Sequence, residues 1–163
     1  MKPTRREFLC ATAAAAAGAL APTAFAAPAE PGEPVRWPAV VTLLDGTRWA
    51  PAAGRAQVVV FWSVSCPFCR RHNAHVDKLY RAAANGGPQV LTVSRDRDVA
   101  EVRRYIAANG YAFPVSLDHA PLAAALAARN VIPLTLLVDR QGRLKQAFPG
   151  EMFEEDVMEL LTL

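Results

Sequence analysis

Cys66 and Cys69 stand three positions apart in the stretch Trp62-Ser63-Val64-Ser65-Cys66-Pro67-Phe68-Cys69. Two thiols at this spacing can form a disulfide, bind a soft metal ion or cycle between the two redox states. A bridge this short closes too small a loop to add much stability, so a chemical purpose is the better expectation. The spacing also matches half of a zinc site. His72 and His75 extend it to a C-x2-C-x2-H-x2-H string. On one helix, however, each three-residue step turns the side chain about 60° from the previous one. Four ligands so spaced span half the circumference, and one tetrahedral ion could not collect them all. No metal is therefore expected here, and both histidines are read as exposed helix residues, with His72 near enough in sequence to influence the thiols.

The elements around the pair should position it. Val58 to Trp62 is a continuous apolar run, the mark of a strand buried on both faces. A helix is predicted from Pro67 to about Ala83, with Val76, Leu79 and Tyr80 turned inward and Asn85-Gly86-Gly87-Pro88 stopping it. Cys66 then falls at the N-cap, where unpartnered N–H groups and the positive end of the helix dipole favour a thiolate. Pro67 falls at the first helical position, where a missing N–H costs nothing. Cys69 lies one turn further in. The arrangement implies an exposed attacking sulfur, Cys66, and a shielded resolving sulfur, Cys69.

Further along, Gln89 to Val93 reads as a second buried strand. Asp98 with Glu101 resembles a capping box, followed by a Val99, Val102, Ile106 stripe as far as Asn109-Gly110. Val115 to Leu117 reads as a short strand and Pro121 to Arg129 as a short Ala-rich helix. Leu134 to Val138 and Arg143 to Phe148 read as strands joined at Gln141-Gly142. A last amphipathic helix carries Phe153, Val157 and Leu160. Upstream, Val40 to Leu44 meets a hairpin signal at Asp45-Gly46 before Thr47-Arg48-Trp49. Strands alternating with helices and a closing hairpin predict an α/β fold around one central sheet.

The chain has 163 residues, 52% hydrophobic and 20% charged, which fits one domain and excludes general disorder. Formal net charge is +3, but Lys2, Arg5 and Arg6 supply three cations beside the single acid Glu7. Without that segment, 15 basic residues face 14 acidic ones (18 − 3 and 15 − 1), and nothing suggests nucleic acid binding. Thr4-Arg5-Arg6-Glu7-Phe8-Leu9 precedes an Ala-rich stretch, and Ala24-Phe25-Ala26 offers a small-x-small cleavage pattern. Residues 1–26 resemble a twin-arginine (Tat) export signal. An uncleaved anchor is the alternative, weakened by low-hydropathy alanine and by Pro22 and Pro28. Residues 27–38, with Pro28, Pro31, Pro34 and Pro38, are expected to form an extended, exposed spacer, leaving 39–163 as the domain. Cys10 would be discarded with the signal, so the exported chain keeps only Cys66 and Cys69.

Asn130-Val131-Ile132-Pro133-Leu134-Thr135 is the second candidate element. Alone, a Pro before a buried strand suggests a trans bond. Together with an upstream CxxC, it suggests a cis-Pro loop against the sulfurs, presenting the Ile132 backbone to an extended substrate chain. Val58–Trp62, Cys66–Cys69, Gly110-Tyr-Ala-Phe-Pro-Val-Ser-Leu-Asp118 and Ile132–Gly142 together resemble the thioredoxin-fold thiol–disulfide oxidoreductases, specifically the exported TlpA/ResA-like branch. The resemblance covers about Pro38 to Leu163. It implies a thioredoxin fold: a central mixed sheet flanked by helices, an N-terminal hairpin and a central αβ insertion. It also implies that Cys66 is the nucleophile, Cys69 the resolving thiol and Pro133 the cis-proline. Trp62, Pro67, Phe68 and Ile132 would lie against the substrate.

Three departures accompany the resemblance. Val60 occupies the place of the buried Asp of ordinary thioredoxins, Asp96 is the only acid near the end of the next strand, and Ala74 stands near the usual helix-kinking proline. Proton handling at Cys69 would then fall to water, Asp96 or His72.

The resemblance implies a periplasmic monomer without cofactor. It would act on client proteins with cysteines or disulfides, as a reductant resupplied by a membrane electron-transfer partner. A DsbA-like oxidase and a copper chaperone using both thiolates are the alternatives. Met152 and Met158 alone, with no Met-rich loop, weaken the copper reading. A peroxidase reading, with Ser63 three before Cys66, is weaker still because Val59 replaces the proline expected upstream.

Overall fold

The β-branched run before the cysteine pair becomes the centre of the sheet. The computed structural model describes residues 32–163. The export signal expected over 1–26 lies outside the described residues, as do the first residues of the spacer. A five-stranded mixed sheet has the order β5-β4-β3-β6-β7. Its strands are β3 (Gln57–Trp62), β4 (Gln89–Ser94), β5 (Val115–Ser116), β6 (Leu134–Val138) and β7 (Leu144–Pro149). β3 runs parallel to β4 and antiparallel to β6, β4 is parallel to β5, and β6 is antiparallel to β7. A separate hairpin joins β1 (Val41–Thr42) to β2 (Arg48–Trp49) across Asp45-Gly46, as the turn signal predicted.

Alternation along β3 divides the core. Val59 and Phe61 face the side covered by α3 (His119–Ala125) and the hairpin, with Leu91, Leu122, Leu134 and Leu136. Val58, Val60 and Trp62 face the other side. There α1 (Pro67–Ala82), α2 (Val99–Asn109) and α4 (Glu154–Glu159) pack through Cys69, Val76, Leu79, Val102 and Val157. The βαβ half (β3-α1-β4) and the ββα half (β6-β7-α4) are bridged by α2, β5 and α3, the expected insertion. This is the thioredoxin fold with an N-terminal hairpin. Among the described residues no helix is long and apolar enough to cross a membrane.

Several local expectations differ. Val99 is 44% exposed and Phe153 78% exposed, so neither joins the stripe assigned to it; both sit at the start of their helix, before the first turn reaches the core. Tyr80 is only half-buried. α3 stops at Ala125, not Arg129, because Ala127 adopts φ 50° and Ala128 N–H donates to the Ala123 carbonyl at 2.9 Å. The spacer is not wholly free. Glu33, Pro34 and Arg36 are exposed, but Gly32 N–H and Val35 N–H donate to the Leu144 and Gly142 carbonyls beside β7. Val35 is buried and Trp37 rests 5.2 Å from the Trp49 ring, because apolar side chains between the prolines still gain from covering the core edge.

Candidate active site

Cys66 caps α1. Its backbone is extended (φ −86°, ψ 114°) and its sulfur accepts the Cys69 N–H at 3.2 Å, filling one of the donors every helix start leaves open. Pro67 occupies the first helical position. Cys66 is half-buried, while Pro67 and Phe68 are exposed, Phe68 at 56%. The Arg71 guanidinium lies 5.2 Å from the Phe68 ring centre and pairs with Glu151. Cys69, one turn on, is fully buried in the face that contains Val60 and Trp62. Burial and the adjacent Cys66 sulfur push the Cys69 thiol up to about 12. Both thiols are free. The two sulfurs are thus chemically unequal.

The loop before β6 closes the site from the other side. The Ile132–Pro133 peptide is cis, as the pairing with an upstream CxxC predicted. Cys66 Sγ lies 3.9 Å from the Ile132 carbonyl oxygen. Pro133 is buried and Ile132 is half-buried at the mouth. Trp62 departs from its assigned role. It has no exposed surface, so it supports the site from beneath and cannot meet a client directly.

His72 and His75 are not free surface groups. His72 is completely buried, because position 72 turns toward β6 rather than outward. Its Nδ1 accepts the Met152 N–H at 3.3 Å, which leaves the proton on Nε2, and Nε2 donates to Thr135 Oγ1 at 2.9 Å. Burial, with His75 nearby, lowers His72 to about 4, so it is neutral at physiological pH. His75 Nδ1–H donates to the Met152 carbonyl at 3.2 Å. The two rings hold the backbone N–H and carbonyl of Met152, and neither nitrogen of His72 is open to an ion. No group of three or more metal-binding side chains occurs among the described residues.

Asp96 is also committed. It accepts from Ser63 Oγ at 2.7 Å, Val64 N–H at 2.9 Å and Ser94 Oγ at 2.7 Å, pinning the loop that delivers Cys66. Sequence reasoning missed Asn73 and Tyr105. Asn73, one turn beyond Cys69, is fully buried, and neither its Oδ1 nor its Nδ2 finds a hydrogen-bond partner among the described residues. The Tyr105 hydroxyl is likewise buried and unpartnered. An Asn on the inward stripe of a helix was the available signal.

Comparison with known proteins agrees with this geometry. A thiol–disulfide oxidoreductase ResA from Geobacillus kaustophilus is 30% identical over 122 residues, covering 72% of this chain and 69% of that protein. The ResA of Halalkalibacterium halodurans is 26% identical over 110 residues, 68% of this chain and 62% of its own length, so the match leaves out more than a third of that relative. Among solved structures, a thioredoxin-family thiol:disulfide interchange protein from Chlorobium tepidum superposes with TM-score 0.69 at 20% identity, covering 83% of this chain and 94% of that one. StoA from Bacillus subtilis gives 0.65 at 22% identity, over 74% and 93%. The AhpC/TSA family model matches residues 45–147, which include both cysteines and Pro133. By sequence, fold and the placement of its paired thiols, the chain belongs to the AhpC/TSA family.

Proposed function

We propose that this protein is an exported thiol–disulfide oxidoreductase that exchanges the Cys66/Cys69 dithiol with disulfides of client proteins in the periplasm, as a reductant. The observation that carries the reading is the inequality of the two sulfurs: Cys66 reachable at a helix N-cap, Cys69 buried behind it with its thiol pushed up to about 12. Cys66 attacks a client disulfide and a mixed disulfide forms. Cys69 then attacks Cys66, closing the Cys66–Cys69 bond and releasing the reduced client. The Ile132 backbone beside Cys66 offers an edge for the client chain, and Phe68 offers an apolar contact.

In this reading residues 1–26 are the Tat signal, 27–38 a spacer and 39–163 the catalytic domain. The domain works as a monomer without cofactor, and a membrane partner returns electrons to it. Cys66→Ser should abolish insulin-disulfide reduction, and Cys69→Ser should accumulate mixed disulfides with clients. Equal loss in both variants, with nothing trapped, would overturn the assigned roles. The reduction potential tests direction: a value near or below about −270 mV supports a reductant, and one near −120 mV an oxidase.

A further inference from the structure

A client disulfide that meets Cys66 must also find room for its chain beside the sulfur. That room lies between two pieces of backbone from different elements. The sulfur caps the first turn of α1. The Ile132 carbonyl oxygen, 3.9 Å away, belongs to the loop before β6. The ladder between β3 and β6 ends at the Phe61–Leu134 pair, so Ile132 and Pro133 lie beyond its last paired residues. Strand pairing alone therefore does not fix the gap between the two walls.

The remaining ties run through His72, one turn after Cys69 on α1. Its Nε2–H donates to Thr135 Oγ1 at 2.9 Å, two residues after Pro133. Its Nδ1 accepts the Met152 N–H at 3.3 Å. The loop that carries Met152 is itself bound to Pro133, whose carbonyl accepts the Gly150 N–H at 2.8 Å. One route from the thiol helix to the Ile132–Pro133 loop thus passes through β6, the other through residues 150–152, and both meet in one imidazole. His72 and Thr135 are fully buried, so water does not compete for their bond. An apolar side chain would fill the same space without the desolvation that a buried imidazole costs, so packing alone does not call for histidine here.

We propose that His72 is a positioning residue for client binding: by joining α1 to Thr135 and Met152 it sets the separation between the Cys66 sulfur and the Ile132 backbone, the slot that receives a client chain. This rests on the oxidoreductase reading above. Such a slot discriminates between substrates. A disulfide carried on an extended peptide uses both walls, its sulfur against Cys66 and its backbone along Ile132. A small aryl disulfide has no chain to lay against Ile132 and uses the sulfur alone. His72 therefore confers a preference for polypeptide disulfides without touching the substrate.

Single-turnover reduction of a disulfide-bonded peptide and of a small aryl disulfide, each over a range of concentrations, tests the assignment. Thr135→Val deletes the hydroxyl and keeps the shape of the side chain. His72→Asn keeps an acceptor for the Met152 N–H but is too short for Thr135, whereas the amide of His72→Gln can reach it. Thr135→Val and His72→Asn should each lower the ratio of the peptide rate to the aryl disulfide rate about tenfold, through a higher half-saturating peptide concentration. Tenfold corresponds to ~1.4 kcal/mol, the scale of one hydrogen bond. His72→Gln should retain most of the ratio, and the Thr135→Val/His72→Asn double variant should fall no further than either single one, because both break the same bond. Should the His72 variants fail to fold, Thr135→Val carries the test alone. A ratio within twofold of wild type, equal slowing with both substrates, losses that add in the double variant, or a His72→Gln ratio as low as that of His72→Asn would each overturn the proposal. Failure of the wild-type protein to reduce either substrate would instead refute the oxidoreductase reading itself.

Discussion

The two sides of α1 differ in how completely their polar residues are partnered. On the side facing the 151–154 loop, every polar side chain has found a partner: Arg71 with Glu151, His72 with Met152 and Thr135, His75 with Met152, Lys78 with Glu154. On the side facing α2, Asp77 is held by Arg81 and the Ala112 N–H, but Asn73 and the Tyr105 hydroxyl are buried with no hydrogen-bond partner among the described residues. The first side ties the helix to the ββα half. The second retains polar groups that packing alone does not require. The contrast separates polar groups that tie the helix to its surroundings from polar groups that do not.

One substitution made on each side tests this directly. His72→Leu strands Thr135 Oγ1 and the Met152 N–H and should destabilise the protein by about 3 kcal/mol in urea unfolding at neutral pH. Asn73→Leu removes an amide with no hydrogen-bond partner among the described residues and should leave stability unchanged or raise it by about 1 kcal/mol. Equal losses would erase the distinction between the two sides.

The pH dependence of stability sharpens it. His72 sits at about 4 in the folded protein against about 6.5 for a free histidine, so between those values the unfolded chain binds the extra proton. The contribution is complete above pH 6.5 and is lost as pH falls toward 4. It amounts to about 3 kcal/mol from the size of the shift. Glu151 and Glu154, held below the usual carboxylate range by Arg71 and Lys78, begin to lose their own contribution only as the pH nears 4.5, at the lower end of this window, so the slope between pH 6.5 and 5 reports His72. His72→Gln should flatten the profile between pH 6.5 and 4. An unchanged slope would mean that some other group carries it.

A smaller effect belongs to the start of α2. Asp98 accepts from Ala100 N–H at 2.8 Å and Glu101 N–H at 3.2 Å, and Asp98→Ala should cost about 1 kcal/mol in the same measurement. A loss several times larger would show that α2 positions Tyr105 with far less redundancy than its packing through Val102 suggests.

Most of this architecture was legible in the residues. The apolar run before Cys66, the proline after it and the Asp98 cap each have one physically favoured outcome, and the sheet and α1 followed. What was illegible depended on contacts distant in sequence. His72 looked like a surface residue because nothing near it signals Thr135, 63 positions away, or Met152, 80 positions away. α3 overran its end in the sequence because Ala127 closes the helix in a left-handed conformation usually given to Gly, and Ala is the strongest helix former. Trp62 was read both as the end of a strand buried on both faces and as a substrate contact, and its complete burial agrees with the first reading. Cys66 and Cys69 were readable from their spacing, while Pro133 was readable only from its pairing with an upstream CxxC and from the family resemblance, which the cis Ile132–Pro133 peptide beside Cys66 matches.

The smallest expected effect lies on the well-partnered side. Lys78 Nζ bonds Glu154 Oε2 at 2.6 Å, but both side chains stand in water, 56% and 42% exposed. Solvent offers each charge nearly as much as the other does, and holding two long side chains in register costs rotamer freedom. Lys78→Ala should therefore leave the urea midpoint where it is, although it removes the shortest of the side-chain contacts from the helix to Glu154. If it destabilised the protein as much as His72→Leu, the bonds from α1 to the 151–154 loop would be acting as one cooperative unit. The loop would then hold its place by the network as a whole, and the buried imidazole could not be singled out as the residue that anchors it.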